Sequence, residues 1–127
     1  ISLDEKYVYA WYNKGRTLSK LKKYEEAIVC YDKVISLDKK HEEVWNSKAW
    51  LLGKMGKYEK ALQFSEVALL IKSDNPHYIH TKGFILLKLK QYSDAIVQFD
   101  KALEIDPEHK DSIKDKEMAL SLLKNSK

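Results

Sequence analysis

Two series of side chains recur every 34 residues and could bind a ligand. The members are Arg16, Trp50 and Phe84 in one series, and Lys20, Lys54 and Lys88 in the other. Aromatic rings beside cations suit a peptide with acidic and apolar side chains, and cation–π contacts are a possible further contribution. A Trp or Phe exposed in a groove is also a common binding hot spot. These residues are therefore candidates for contact with a ligand.

Residue types that could carry out catalysis are sparse. His77 and His80 are three residues apart, which makes them a possible metal pair, but without a third convergent ligand such a site is weak. Cys30 is the only cysteine and has no partner His at a recognisable spacing. Neither a Gly-rich phosphate loop nor an HExxH pattern occurs. We therefore expect no enzyme activity, no metal and no cofactor.

The bulk composition narrows the class of protein further. The chain has 127 residues, enough for one domain, and a formal net charge of +4 from 23 basic and 19 acidic residues. This mildly basic balance is far from the concentrated patch typical of nucleic-acid binding. No apolar run is long enough to span a membrane, and no signal-peptide pattern appears. We expect a cytoplasmic location.

The same 34-residue period runs through the positions that would hold these side chains in place. Equivalent small residues are Gly15, Ala49 and Gly83 on one predicted helix of each unit, and Ala27, Ala61 and Ala95 on the other. A period of this size indicates stacked supersecondary units. The predicted division is residues 8–41, 42–75 and 76–109. Residues 1–7 would be the end of a preceding unit's second helix, and residues 110–127 a polar cap helix.

Three positions depart from the repeat in ways that affect the backbone or the packing. Lys22 and Lys90 occupy the turn position that Gly56 fills in the second unit, so backbone strain is expected there. Ser65 stands where the first and third units have an aromatic residue, so looser packing of the second unit is expected.

These repeats resemble the tetratricopeptide repeat family, whose signature is W-x2-L-G-x2-Y, then A-x3-F, then P. The third copy carries it as Ile79, Gly83, Leu86, Ala95, Phe99 and Pro107. The resemblance implies an all-α, right-handed α-solenoid of antiparallel helix pairs. It also implies a protein-interaction scaffold with a concave groove, lined mainly by the first helix of each unit. The groove positions carried over from the resemblance are Tyr9, Tyr12, Arg16, Ser19, Lys20, Glu43, Asn46, Trp50, Lys54, His77, His80, Phe84, Leu87 and Lys88, with Asn13, Ser47 and Thr81 at the margin.

One subclass of this family grips the terminal carboxylate of a peptide with a set of Lys, Asn and Arg side chains. The matching positions here hold Tyr12, Arg16, Ser47, His77 and Thr81. None of the five agrees with that set. We therefore expect no peptide binding through this clamp.

Two other functions stay open at this stage. Helical-repeat arrays can bind single-stranded RNA at about one base per unit, although the 34-residue period counts against that class. Alternatively, the edge of the first unit, with Leu3 and Tyr7, could be covered by another copy of the chain.

Overall fold

The computed structural model describes residues 3–126, with side chains from residue 5 onward. This part of the chain forms seven α-helices and no strand. None of these helices is long and apolar enough to cross a bilayer. The helices are α1 (Leu3–Lys20), α2 (Tyr24–Leu37), α3 (Glu42–Lys54), α4 (Tyr58–Ile71), α5 (Pro76–Lys88), α6 (Tyr92–Ile105) and α7 (Lys110–Asn125).

Successive helices pack as hairpins, and the hairpins stack in one direction. α1 packs against α2, α3 against α4, and α5 against α6. The first helix of a hairpin also touches the first helix of the next one, as in the pairs α3 with α5 and α5 with α7. This arrangement confirms the predicted all-α solenoid. The first helices therefore form a continuous row, and this row carries the candidate site.

The beginning of the chain differs from the expectation. Residues 3–7 extend α1 without a break instead of ending a preceding helix, and residues 1 and 2 lie outside the described part. At the start of α3, α5 and α7, an N-cap side chain accepts a hydrogen bond from a backbone N–H of the helix. These N-cap residues are His41, Asn75 and His109. Tyr7 occupies the equivalent position and lacks a short side-chain acceptor for this purpose. The boundaries of the other units stay a prediction.

The turns inside the three hairpins share one backbone conformation. Lys22, Gly56 and Lys90 all have a positive φ, of 63°, 82° and 64°. In each turn, the N–H of the following residue bonds the carbonyl five residues earlier, as Lys23 N does to Leu18 O at 2.9 Å. This is the Schellman ending of a helix, which glycine favours. The two lysines therefore adopt a left-handed conformation that is unfavourable for a residue with a Cβ.

Close helix–helix contact explains the small residues of the repeat. A Cβ added to Gly15 would lie 2.5 Å from Tyr31 Cε1, and one added to Gly83 would lie 2.5 Å from Phe99 Cε1. The second unit pairs Ala49 with Ser65 instead, and both are fully buried. Ser65 Oγ has no hydrogen-bond partner among the described residues. The looser packing of the second unit stays a prediction.

α7 is the helix where the repeat pattern stops. Glu117 takes the position of the small residues and is exposed. Ile113 and Leu120 are 40% and 47% exposed, whereas their equivalents in α5, Ile79 and Leu86, are each 5% exposed. One side of α7 packs against α5 and α6, and the other side faces solvent as expected of a cap helix.

Candidate peptide-binding groove

The centre of the row of first helices carries a partly exposed pair of aromatic rings. The ring centroids of Trp50 on α3 and Phe84 on α5 are 4.7 Å apart. Lys54 Nζ lies 5.0 Å from the centroid of the Trp50 ring, and Lys88 Nζ lies 5.4 Å from that of Phe84. The rings thus contact each other across two units at a tilted angle of 38°, and the two ammonium groups lie over them. This geometry provides an apolar surface with positive charge beside it.

The series of Arg16, Trp50 and Phe84 has a fourth member on α7, which the sequence analysis did not identify. Met118 follows Phe84 by the same 34-residue step and is 45% exposed on α7. The repeating step itself could have identified it, but the polar composition of α7 hid the signal. An exposed methionine adapts readily to an apolar side chain of a ligand.

Polar pairs between successive first helices use two fixed positions, 35 residues apart. Tyr12 Oη and Ser47 Oγ share a hydrogen bond of 3.1 Å between α1 and α3. His80 Nε2 and Asp115 Oδ2 are 2.7 Å apart between α5 and α7. The middle members of this series, Asn46 and Thr81, are not bonded to each other, since Thr81 Oγ1 donates to the His77 carbonyl at 3.0 Å.

Asn46 is consequently left with an unused acceptor. Its Oδ1 is buried and has no hydrogen-bond partner among the described residues. A buried polar atom without a partner costs stability, so this oxygen needs an explanation.

A small cavity opens beside Asn46, between α1 and α3. It has a volume of about 220 Å³ and is lined by Arg16, Ser19, Lys20, Tyr31, Asn46, Ser47 and Trp50. Burial raises the pKa of Tyr31 to about 12, so its hydroxyl keeps its proton at neutral pH. The cavity therefore combines two cations with several hydrogen-bond donors, and none of its lining residues is acidic.

The histidines form a cluster that the sequence did not predict. His109 Nε2 lies 3.0 Å from His77 Nδ1, and His109 Nδ1 accepts from the Ser112 backbone N–H at the start of α7. Burial, followed by the neighbouring His77 and His80, lowers the pKa of His109. No group of three or more His, Cys, Asp or Glu in the described chain has a geometry that could hold a metal ion.

Not every predicted groove residue is accessible. His80 is only 6% exposed, because its imidazole is buried against Asp115 and Phe99, so it is corrected to a structural residue. Leu87 is 5% exposed and belongs to the core. By contrast, Tyr9 is 71% exposed. The remaining predicted side chains are exposed or partly exposed: Tyr12, Asn13, Arg16, Ser19, Lys20, Glu43, Asn46, Trp50, Lys54, His77, Phe84 and Lys88.

The five positions of the carboxylate clamp are engaged within the protein. Tyr12 and Ser47 bond each other, and Thr81 bonds the His77 carbonyl. The Arg16 guanidinium lies 5.9 Å from the centroid of the Tyr12 ring. That the chain does not bind a peptide through this clamp stays a prediction.

Comparison with solved structures shows the same fold in several proteins. The first TPR domain of Spaghetti (RPAP3), solved with the HSP90 peptide SRMEEVD, has a TM-score of 0.88 at 19% identity, covering 93% of this chain and 94% of that one. The second TPR domain of human RPAP3, in complex with the HSP70 peptide SGPTIEEVD, has a TM-score of 0.85 at 22% identity, covering 91% and 97%. An O-GlcNAc transferase mutant from Thermobaculum terrenum has a TM-score of 0.91 at 18% identity, covering 94% of this chain but 23% of that one.

Sequence comparison identifies the family. No curated protein matches the sequence. Tetratricopeptide repeat profiles match residues 8–41 and 80–109, and a second profile of the same description matches residues 30–63. Together these matches span more than half of the 127 residues. The chain belongs to the tetratricopeptide repeat family.

Proposed function

We propose that the chain is a non-enzymatic scaffold that binds an extended peptide, or a segment of a partner protein, along its row of first helices. The observation that carries this proposal is the unpartnered Asn46 Oδ1 between a cationic cavity and the aromatic pair. In an extended peptide, a backbone N–H can supply the missing donor. Two RPAP3 domains of similar fold have been solved with peptides, which supports this mode of binding.

An acidic side chain of the peptide fits the cavity between α1 and α3. Arg16 and Lys20 supply positive charge, and the Tyr31 hydroxyl, protonated at neutral pH, can donate a hydrogen bond. Charge-assisted hydrogen bonds of this kind are stronger than those between neutral groups. This cavity therefore favours Asp or Glu.

An apolar side chain of the same peptide fits the neighbouring aromatic surface. Trp50 lines the cavity and also stacks on Phe84, so the cationic and the apolar parts adjoin each other. Met118 extends the apolar part onto the cap helix. The preferred ligand accordingly carries an acidic residue followed, along the groove, by an apolar one.

Binding requires no chemistry in this mechanism. The helices hold the groove in a fixed shape, so the protein itself loses little conformational entropy when the peptide docks. We place such a scaffold in the cytoplasm. Self-association through the first unit is a separate possibility: Tyr7 is 50% exposed on α1. Light scattering over a concentration series measures it.

Selection from a displayed library of random octapeptides tests the groove. We expect enrichment of Asp or Glu near an apolar residue. The double variant Trp50→Ala plus Phe84→Ala should lose at least tenfold in affinity for the selected peptides, as expected of an aromatic hot spot. Leu70→Ala is the matched control, since Leu70 is an apolar side chain that is 85% exposed on α4.

The charged cavity has its own variant, Arg16→Gln plus Lys20→Gln. Peptides selected by this variant should still be enriched in apolar residues, but they should no longer be enriched in Asp or Glu. Unchanged binding by the aromatic double variant, with circular dichroism showing that it is folded, would reject the groove. Capture of a single-stranded RNA oligonucleotide with a steep salt dependence, in place of peptides, would favour the RNA function instead.

A further inference from the structure

A second cavity lies at the other end of α1 and has the opposite charge character. Its volume is about 400 Å³, and it is lined by Glu5, Val8, Tyr9, Tyr12, Leu37, Asp38 and His41. None of these seven residues is Lys or Arg. The cavity therefore differs from the cationic cavity that Arg16 and Lys20 line further along the same helix.

The lining combines three features that suit the long side chain of a basic residue. Val8 and Leu37 provide an apolar surface for its methylene groups. Tyr9 and Tyr12 provide aromatic rings, and the Tyr9 side chain is 71% exposed. An ammonium or guanidinium group close to such a ring face is attracted to it.

A carboxylate at the rim completes the recognition of a cation. Asp38 is exposed, and its Oδ1 accepts a hydrogen bond from the Lys40 backbone N–H at 3.1 Å. This bond holds the carboxylate in place at the end of α2. Glu5 also lines the cavity, and the Glu43 carboxylate acts electrostatically on the Tyr12 hydroxyl. Of the residues that line the cavity, Glu5 and Asp38 are acidic and none is Lys or Arg.

Tyr12 separates the two cavities. Its ring lies 4.9 Å from that of His41, on the side of the second cavity, and its hydroxyl bonds Ser47, which lines the cationic one. A ligand that passes over Tyr12 meets negative charge on one side and positive charge on the other.

We propose that this second cavity binds a lysine or arginine side chain of the same peptide. The inference rests on the proposed function, because the order of side chains in the peptide follows from it. The basic residue lies on the opposite side of Tyr12 from the acidic residue. The peptide then has a basic, an acidic and an apolar side chain in this order along the groove. The equivalent positions one unit later hold Lys39 and Lys72 in place of Glu5 and Asp38. Two units later, His77 and His80 replace Tyr9 and Tyr12, so the full set of residues occurs only in the first unit.

Small probes test the cavity without knowledge of the natural peptide. N-acetyl-lysine methylamide and N-acetyl-arginine methylamide are titrated into the isotopically labelled chain, and amide shifts at Val8, Leu37 and Asp38 are followed by NMR. N-acetyl-norleucine methylamide is the control, because it has the apolar stem without the charge. At least one basic probe should bind at least fivefold more tightly than norleucine, and the tighter of the two identifies the preferred side chain.

Two variants then test the residues. Asp38→Asn keeps the acceptor for the Lys40 N–H but removes the charge, and it should weaken binding of the tighter basic probe at least threefold. Asp106→Asn is the matched control, because Asp106 Oδ1 makes the same bond to the Glu108 N–H at 3.1 Å in the third unit. Tyr9→Ala should weaken binding similarly, because it removes an exposed cation–π contact.

The outcomes separate this inference from the proposed function. Equal binding of norleucine and both basic probes, or unchanged binding by Asp38→Asn, overturns the basic-side-chain site, even if the selected peptides still require Trp50 and Phe84. Conversely, the selection experiment can reject the peptide groove while a basic probe still shifts the Asp38 amide and norleucine does not. That result would support the cavity alone.

Discussion

The three junctions between successive first helices use the same two positions but stabilise them differently. The first junction has the Tyr12–Ser47 hydrogen bond, and the last has the contact between His80 and Asp115. The middle junction has no such bond, and Asn46 Oδ1 stays without a partner in the described chain. Instead, the Trp50 and Phe84 rings stack across it. The junction that is least satisfied internally is therefore the one that also presents aromatic rings.

In the proposed groove, this difference lets one repeat serve both structure and recognition. A hydrogen bond between units fixes their relative position and uses up the groups involved. Where that bond is missing, the tilted contact between the Trp50 and Phe84 rings joins the units, and Asn46 Oδ1 is left without an internal partner among the described residues. Strain or incomplete satisfaction at one place in an otherwise consistent fold is common at functional sites.

Substitution of the three equivalent residues is the strongest test of the comparison. His80→Ala removes the partner of Asp115, whose side chain is 17% exposed, and should reduce the free energy of unfolding by about 2–3 kcal/mol. Tyr12→Phe loses one hydrogen bond and should cost about 0.5–1.5 kcal/mol. Asn46→Ala removes no internal bond and should cost less than about 0.5 kcal/mol. Urea denaturation measures all three, and equal costs would contradict the distinction.

The pH dependence of stability sharpens the contrast at the last junction. Burial lowers the pKa of His109 below its ordinary value of 6.5, so the unfolded chain binds this proton more readily. The stability contributed by neutral His109 is complete above the unfolded pKa and is lost as the pH falls through the folded one. Chemical denaturation between about pH 7.5 and about pH 5.5 should show this loss.

His109→Asn isolates this contribution from the other titrating groups around the cluster, which are His77, His80, Asp106, Asp111 and Asp115. Asn75 caps α5 at the equivalent position, so asparagine preserves the cap without titrating. The variant should lose less stability than the parent over the same pH range. An identical loss in both proteins would assign the effect to the other groups.

A smaller effect is expected in the turns that precede the junctions. Lys22→Gly relieves the left-handed conformation that Gly56 adopts in the second unit, and it should raise the free energy of unfolding by up to about 1 kcal/mol. Lys23→Gly is the control, because Lys23 has a φ of −90° and gains nothing from glycine. Thermal unfolding of both variants measures the difference, and an equal response would exclude strain at Lys22.

The repeat period predicted most of the fold, because each unit repeats the same local interactions. It placed the hairpin turns, the small residues at Gly15 and Gly83, and the strained lysines. It failed where contacts depend on how units stack. The contact of His109 with His77 spans 32 residues and follows no repeat step, so it could not be read from the spacing. The burial of His80 depends on Asp115 in the cap helix, where the pattern weakens.

The pairing of Ala49 with Ser65 makes the second unit's two helices interdependent under mutation. An aromatic ring at position 65 would meet the Ala49 methyl at the distance where Gly15 and Gly83 leave space for a ring. We therefore expect an aromatic residue at position 65, as in the neighbouring units, to be tolerated only when Ala49→Gly is introduced first. The two sites should show strong epistasis, and the order of the substitutions decides whether the intermediate protein folds.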